Sequence, residues 1–253
     1  MLRKLLLGAS IACCLSPLAA AEGTLKMKFV YGGIPPVQAA IPVAARVAGN
    51  ANVLDETLIV NPQNRGIKNV VLYVYTGHGG SKLPKMDFKT EQHQLQSNRF
   101  RYQPHILIMK AGDTLEVTNS GVFDHSFRFN FIRQPAETFA LAPKQKFIGQ
   151  LANAEPAAIP VDSDFYPWMR AYVLILDHPF AAKSNEDGDL EIRGLPTGQE
   201  LSFRIFIEGA KGAIDEVRIN GEPTVWRRNR FSVDIKEGEN DLGTIEISPT
   251  VFR

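Results

Sequence analysis

The chain has 253 residues, with 28 Lys and Arg against 27 Asp and Glu, and 44% of its residues are apolar. A net charge of +1 excludes a protein that holds nucleic acid or an anionic membrane through bulk charge. The apolar share excludes a disordered polymer and supports one large domain or two smaller ones.

The chain opens with Arg3 and Lys4, then an apolar run over 5–18 that closes on Ala19, Ala20 and Ala21 before Glu22. A basic start, a short apolar stretch and a small-residue site make the pattern of a secretory signal peptide, so residues 1–21 are expected to be removed. Loss of Arg3 and Lys4 turns the formal charge from +1 to −1. Both cysteines, Cys13 and Cys14, fall in that leader, so the exported chain is expected to hold no disulfide and no thiolate. Ser10 speaks against acylation of Cys13, because a lipoprotein leader carries an apolar residue at that place. No later segment approaches the ~18 consecutive apolar residues of a membrane span, so a soluble periplasmic or extracellular protein is expected.

From Glu22 onward the apolar residues alternate with period two, the mark of strands buried on one face. Leu25, Met27, Phe29 and Tyr31 share one side, with Lys26 and Lys28 opposite. Further strands are expected over 67–75, 105–109, 114–118, 125–131, 172–177, 201–207 and 231–235. Turn residues punctuate them at Gly32-Gly33, 77–80, Gly112-Asp113, Asp187-Gly188, Asn220-Gly221 and Glu237-Gly238. The one stretch of helical flavour, 38–48, is broken by Pro42 and is expected to be irregular or a short turn of helix. The fold class is therefore all-β. After Pro179 the strand and turn pattern restarts, which places a domain boundary there and leaves about seventy residues for a small β-sandwich.

Three segments together carry a family resemblance: Tyr102-Gln103-Pro104-His105 with Gly112-Asp113-Thr114-Leu115 and Asn119-Ser120; Tyr166-Pro167-Trp168-Met169-Arg170-Ala171-Tyr172 closing on Asp177-His178-Pro179-Phe180; and Asp187-Gly188-Asp189-Leu190-Glu191-Ile192 with Leu195-Pro196-Thr197-Gly198. The chain resembles exported cupredoxin-like proteins of the methylamine-utilisation-like type, which end in a carboxypeptidase-regulatory-like sandwich. The resemblance implies a Greek-key cupredoxin-like β-sandwich over 22–178, followed by a small prealbumin- or Ig-like sandwich over 179–253.

A blue-copper centre takes two imidazoles and one cysteine thiolate in a plane, with a weak axial methionine. By resemblance His125 holds the early histidine position and Met169 the axial one. The late loop, however, places Ser163 at the cysteine position and Tyr166 at the second histidine position. The resemblance further puts Phe100 in place of a second family cysteine, and Phe206-Ile207 in place of a Trp-His pair. The frame therefore implies the fold but not blue-copper electron transfer, since a serine hydroxyl supplies no thiolate.

Each candidate also has a plain structural reading. His125, in phase with Phe127, Phe129 and Phe131, reads as a core histidine or the remnant of a site. Met169 and Trp168 read as packing residues, and His105 follows a proline at a strand start. A residual metal site from His105, His125, Met169 and Asp164 is the alternative, with weak copper as its ligand. His178 is expected to pair with a carboxylate and tie two domains together. Arg227, Arg228 and Arg230 beside Trp226 read as a solvated turn, and Glu186 and Asp187 as turn chemistry. No catalytic serine elbow, metalloprotease helix or phosphate-binding glycine loop is present. The expectation is a non-catalytic binding or scaffold protein of the bacterial envelope, with an unknown protein or envelope partner, no resident cofactor and no nucleic acid. The rivals are a divergent copper or electron-transfer protein and a module associated with envelope polysaccharide.

Overall fold

The structure, a computed structural model, describes residues 22–43 and 53–253. The leader with Cys13 and Cys14 lies outside them, as do residues 44–48 of the segment expected to be irregular. Over 38–43 the chain is extended: Ala40 is bridged to Leu54, and the Ile41 N–H donates to the Val53 carbonyl at 2.8 Å.

In chain order the strands begin with β1 (Glu22–Tyr31), β2 (Ile59–Val60), β3 (Ile67–Lys68), β4 (Val71–Val74), β5 (Gln92–Asn98), β6 (Arg101–Gln103) and β7 (Ile106–Lys110). They continue with β8 (Thr114–Asn119), β9 (His125–Phe129), β10 (Glu137–Leu141), β11 (Lys146–Gln150), β12 (Ile159–Asp162), β13 (Arg170–Leu176) and β14 (Ala181–Lys183). The last are β15 (Asp189–Pro196), β16 (Gln199–Phe206), β17 (Glu216–Ile219), β18 (Glu222–Val225), β19 (Arg230–Ile235) and β20 (Gly238–Ile247), followed by a 3-10 turn, Pro249–Phe252. The chain is all-β, as its period-two pattern implies.

Pairing sorts these strands into two sandwiches. One has the sheet β15-β1-β20-β17-β18 facing the sheet β14-β4-β16-β19, with β2 and β3 as a separate ribbon. The other has β10-β9-β12-β13-β7 facing β11-β8-β5-β6. The alternating residues of β1 meet Leu72, Val74, Leu201, Phe203 and Ile205 from the opposite sheet in the first core. Leu95, Leu115 and Val117 meet Phe127, Phe129, Val161 and Val173 in the second.

The expected division into 22–178 and 179–253 does not hold, because strand pairing crosses Pro179. β1 pairs antiparallel with β15 and parallel with β20, while β4 pairs with both β14 and β16. The first sandwich is thus built from both ends of the chain, and the second, from β5 to β13, is inserted between β4 and β14. The physical reason is that 179–253 supplies β-edges with no partners of its own: β1 fills the gap between β15 and β20, and β4 the gap between β14 and β16.

The two sandwiches stack through a third apolar cluster. Val71, Tyr73 and Phe206 face Ile106, Leu174 and Leu176 across the junction. This explains why 71–74, 106–109 and 172–176 read as unbroken apolar runs: these strands are buried on both faces, like those of covered sheets. The Lys183 ammonium crosses the same junction to the Ile106 carbonyl at 2.6 Å. Burial, with Lys68 nearby, holds its pKa below the usual lysine range.

Candidate functional site

His125 opens β9 and points inward, 2% exposed, because β9 alternates it with Phe127 and Phe129. Around it the structure gathers an aromatic shell. The Tyr166 ring lies 5.0 Å from the imidazole and the Phe100 ring 6.2 Å; Phe100 in turn meets Phe123, Tyr166 and Trp168. Phe100 occupies the two-residue turn between β5 and β6 with φ +60°, and Arg99 beside it has φ +48°. A bulky residue rarely adopts that conformation, and here the ring contacts hold it in place. His125 Nδ1 is buried without a hydrogen-bond partner among the described residues. On the other side of the ring, a Cβ at Gly121 would stand 3.1 Å from Nε2, so the glycine lets the backbone close over the imidazole. Burial pushes the His125 pKa down to about 4, against a smaller upward pull from Asp124.

The late loop is held by hydrogen bonds centred on two serines. Ser126 Oγ accepts from the Asp164 N–H at 2.8 Å and the Phe165 N–H at 3.2 Å, and lies 3.2 Å from Ser163 Oγ. Ser163 Oγ accepts from the Tyr166 N–H at 3.1 Å, and the Met169 N–H closes the turn on the Tyr166 carbonyl at 2.8 Å. Met169 is 1% exposed and packs in the second core with Tyr166 and Trp168 at its margin.

The predicted residues therefore fall into two groups. His125 touches the Tyr166 ring, and Ser163 and Met169 are tied to Tyr166 by hydrogen bonds within the late loop. His105 does not join them: its Nε2 meets Glu208 Oε2 at 2.5 Å and its Nδ1 faces Glu56 Oε2 at 3.8 Å, both carboxylates belonging to segments outside the inserted sandwich. Asp164 is half-exposed and turned to Arg128. As a copper set, one orphaned imidazole and one thioether beside a serine and a tyrosine do not fit the blue-copper arrangement of two imidazoles and a thiolate. Among the described residues there is no group of three or more His, Cys, Asp or Glu suited to a metal ion.

His178 departs from its expected role. Its Nε2 donates to the Val74 carbonyl at 2.9 Å and its Nδ1 accepts from the Phe180 N–H at 3.1 Å, while the exposed Asp177 carboxylate stands off at 3.8 Å. A neutral ring with both nitrogens matched to the backbone suits burial better than an ion pair. Burial accordingly lowers its pKa. The arginine run is a turn as expected: the Arg228 N–H is held by Asp215, Trp226 stacks on Phe231 at 4.4 Å, and Arg230 lies over the Tyr75 ring.

Sequence reasoning missed Glu56 and Glu208, the residues that take His105. Neither sits in a motif, and they meet His105 only where the inserted sandwich packs against the rest of the chain.

No protein-family description and no curated protein matches the chain. Among solved structures it is similar to a copper-containing nitrite reductase from Thermus scotoductus SA-01, at 14% identity over 40% of this chain and 25% of that one, with a TM-score of 0.32. It is also similar to a reduced amicyanin variant, at 19% identity over 32% of this chain and 79% of that one, with a TM-score of 0.29. A purple cupredoxin from Nitrosopumilus maritimus is 17% identical over 32% of this chain and 97% of that one, with a TM-score of 0.28. The chain thus spans a quarter of the length of the nitrite reductase.

Proposed function

We propose that the chain is an exported, non-catalytic binding or scaffold protein of the bacterial envelope, in which a cupredoxin-like sandwich is kept as a platform without its copper centre. The observation that carries this reading is the state of the late loop. Ser163 is committed to hydrogen bonds with its neighbours, and the Tyr166 ring packs against His125 where a second imidazole would approach a metal. Export is supported by the order of Arg3, Lys4, the apolar run and Ala19-Ala20-Ala21. The partner is an unidentified protein or other envelope component. The copper-binding reading is favoured by one observation, that His125 Nδ1 has no hydrogen-bond partner among the described residues, with Met169 as a second donor.

Titration of the purified chain with Cu(II) separates the two. The expected wild-type result is a colourless protein binding copper more weakly than ~1 μM, about 8 kcal/mol of binding free energy. Tighter binding, or an intense visible band, overturns the proposal. In the same titration the double variant Ser163→Cys, Tyr166→His is expected to develop a thiolate-to-copper band, with His125 and Met169 completing the ligands. Its affinity should be modest, because surrounding contacts such as Ser126 are not tuned to a metal.

A further inference from the structure

In the first sandwich, Leu201, Phe203 and Ile205 of β16 point into the core, so Glu200, Ser202 and Arg204 point away from it. The antiparallel register with β19 sets Arg204 directly opposite Arg230, Ser202 opposite Ser232 and Glu200 opposite Asp234. The Arg230 N–H donates to the Arg227 carbonyl at 3.0 Å and its own carbonyl accepts from the Arg227 N–H at 2.9 Å, so both groups face away from β16. Arg204 and Arg230 therefore form the closer, non-hydrogen-bonded kind of antiparallel pair, with Cα atoms about 4.5 Å apart. Like charges set directly opposite one another destabilise a sheet.

No acid of the chain offsets this pair. Among the described residues the arginines in ion pairs are Arg65, Arg101, Arg128, Arg170 and Arg193. Glu200 and Asp234 stand four residues along their strands, roughly 13 Å away at the usual rise, beyond the ~8 Å over which exposed charges act in physiological salt. Asp215, at the neighbouring turn, is taken by the Arg228 N–H at 2.7 Å, and Arg227 and Arg228 add two exposed positive charges there. Arg204 donates to the Tyr73 hydroxyl, and Arg230 Nη1 to the His78 carbonyl at 3.4 Å. Each guanidinium has five N–H donors, so most of them face solvent or a ligand. Both heads are nevertheless held in place: their central carbons lie 5.7 and 4.7 Å from the centre of one ring, Tyr75. Tyr75 extends β4, donating its N–H to the Ser202 carbonyl at 2.7 Å, and the loop after it closes on the ring, where a Cβ at Gly77 would stand 2.5 Å from the hydroxyl. Two half-buried guanidiniums stacked on one ring lose little further freedom when they take a ligand. A neutral ligand leaves their repulsion in place, and a carboxylate fills one fork with one charge. A tetrahedral oxyanion supplies oxygens to both forks and close to two charges.

We propose that Arg204 and Arg230 form a binding site for a tetrahedral oxyanion, a phosphate or a phosphate monoester, on the first sandwich. The site does not rest on the copper-free reading of the late loop. The test follows the arginine Nε–H signals of the 15N-labelled full exported chain, assigned with Arg204→Lys and Arg230→Lys, in ~0.1 M sodium chloride, which screens diffuse attraction. Inorganic phosphate, glycerol phosphate and sodium acetate are titrated separately. The expected result is a saturable shift of both signals with either phosphate, with a Kd of ~1 mM or tighter, and none with acetate. Tighter binding of glycerol phosphate assigns the anion to an esterified source and tighter binding of inorganic phosphate to the free ion; both support the site. The double variant Arg204→Gln, Arg230→Gln should weaken binding at least tenfold, and Arg218→Gln, which removes an exposed arginine from β17, less than twofold. If the double glutamine variant loses its amide dispersion, Arg204→Lys with Arg230→Lys decides instead: it keeps both charges, loses both forks and should bind at least threefold more weakly. Signals unmoved by both phosphates up to ~50 mM, well beyond a useful affinity, overturn the proposal and leave the arginines only the task of holding the loop against Tyr75. So does an equal response to acetate, or a loss in Arg218→Gln as large as in the double variant. The copper titration is a separate measurement, so a chain that ignores both phosphate and copper overturns the anion site and leaves the copper-free reading standing.

Discussion

At the scale of single residues, His125 shows how burial sets a property that the sequence only hints at. The apolar phase of His125, Phe127 and Phe129 made its inward orientation legible, but not its aromatic surroundings, which depend on Phe100 and Tyr166 arriving from distant loops. In the folded protein the ring stays neutral down to a pKa of about 4, whereas an unfolded chain takes up the proton near 6.5. The unfolded state therefore binds more protons between those values. Stability is unaffected by this group above pH 6.5 and falls as the pH drops towards 4, by roughly 2–3 kcal/mol. His178, lowered by burial as well, acts in the same direction. Urea unfolding at pH 7.5 and pH 4.5 is expected to show that loss in the wild type and a smaller one in His125→Leu. An unchanged pH dependence in the variant would show that the imidazole is not the group responsible. His105 was legible as a strand-start histidine, but its partners Glu56 and Glu208 were not, since no local pattern links residues 56, 105 and 208.

At the scale of elements, strands with one wet face were the most legible. The alternation of Leu25, Met27, Phe29 and Tyr31 foretold β1, and Asn220-Gly221 foretold the turn between β17 and β18, where both residues take positive φ. The expected strand 67–75 is split into β3 and β4 at Asn69, whose φ is +64°. β5, with Leu95 as its lone large apolar side chain, gives no alternation to detect, and β10 and β11, each only five residues long, were not among the expected strands. The boundary at Pro179 failed because partner choice is non-local: nothing near residue 190 says that its neighbour is residue 27. Turn chemistry enforces that join once made, since a Cβ on Gly188 would stand 2.1 Å from the Phe29 carbonyl oxygen. A fragment of 179–253 alone lacks β1 and β4 and leaves β15, β20, β14 and β16 with open edges. It is expected to be unfolded or aggregated, with narrow amide dispersion in its NMR spectrum. A dispersed, monomeric fragment would restore the boundary that the strand pairing removes.

For the whole molecule, nesting has its own consequences. The inserted sandwich leaves and rejoins the first one at neighbouring points, where the Val74 N–H donates to the Phe180 carbonyl at 3.0 Å and Tyr73 pairs with Ala181. Replacing 75–179 with Asn-Gly, the usual two-residue hairpin turn, should therefore leave the first sandwich folded. Excision uncovers Val71, Tyr73 and Phe206, so the product is expected to melt lower and bind an apolar dye, while its amide dispersion stays wide. A random-coil spectrum would mean that the first sandwich depends on its guest. The parallel pairing of β1 with β20, from Gly23 beside Gly238 to Tyr31 beside Ile247, also sets how the protein responds to mechanical load. Tension applied between residues 22 and 253 pulls these two strands lengthwise in opposite directions, loading their ladder of bonds together in shear rather than one at a time. The inserted sandwich, with its aromatic cluster, lies off that line of force. It stays unstretched until the outer strands part.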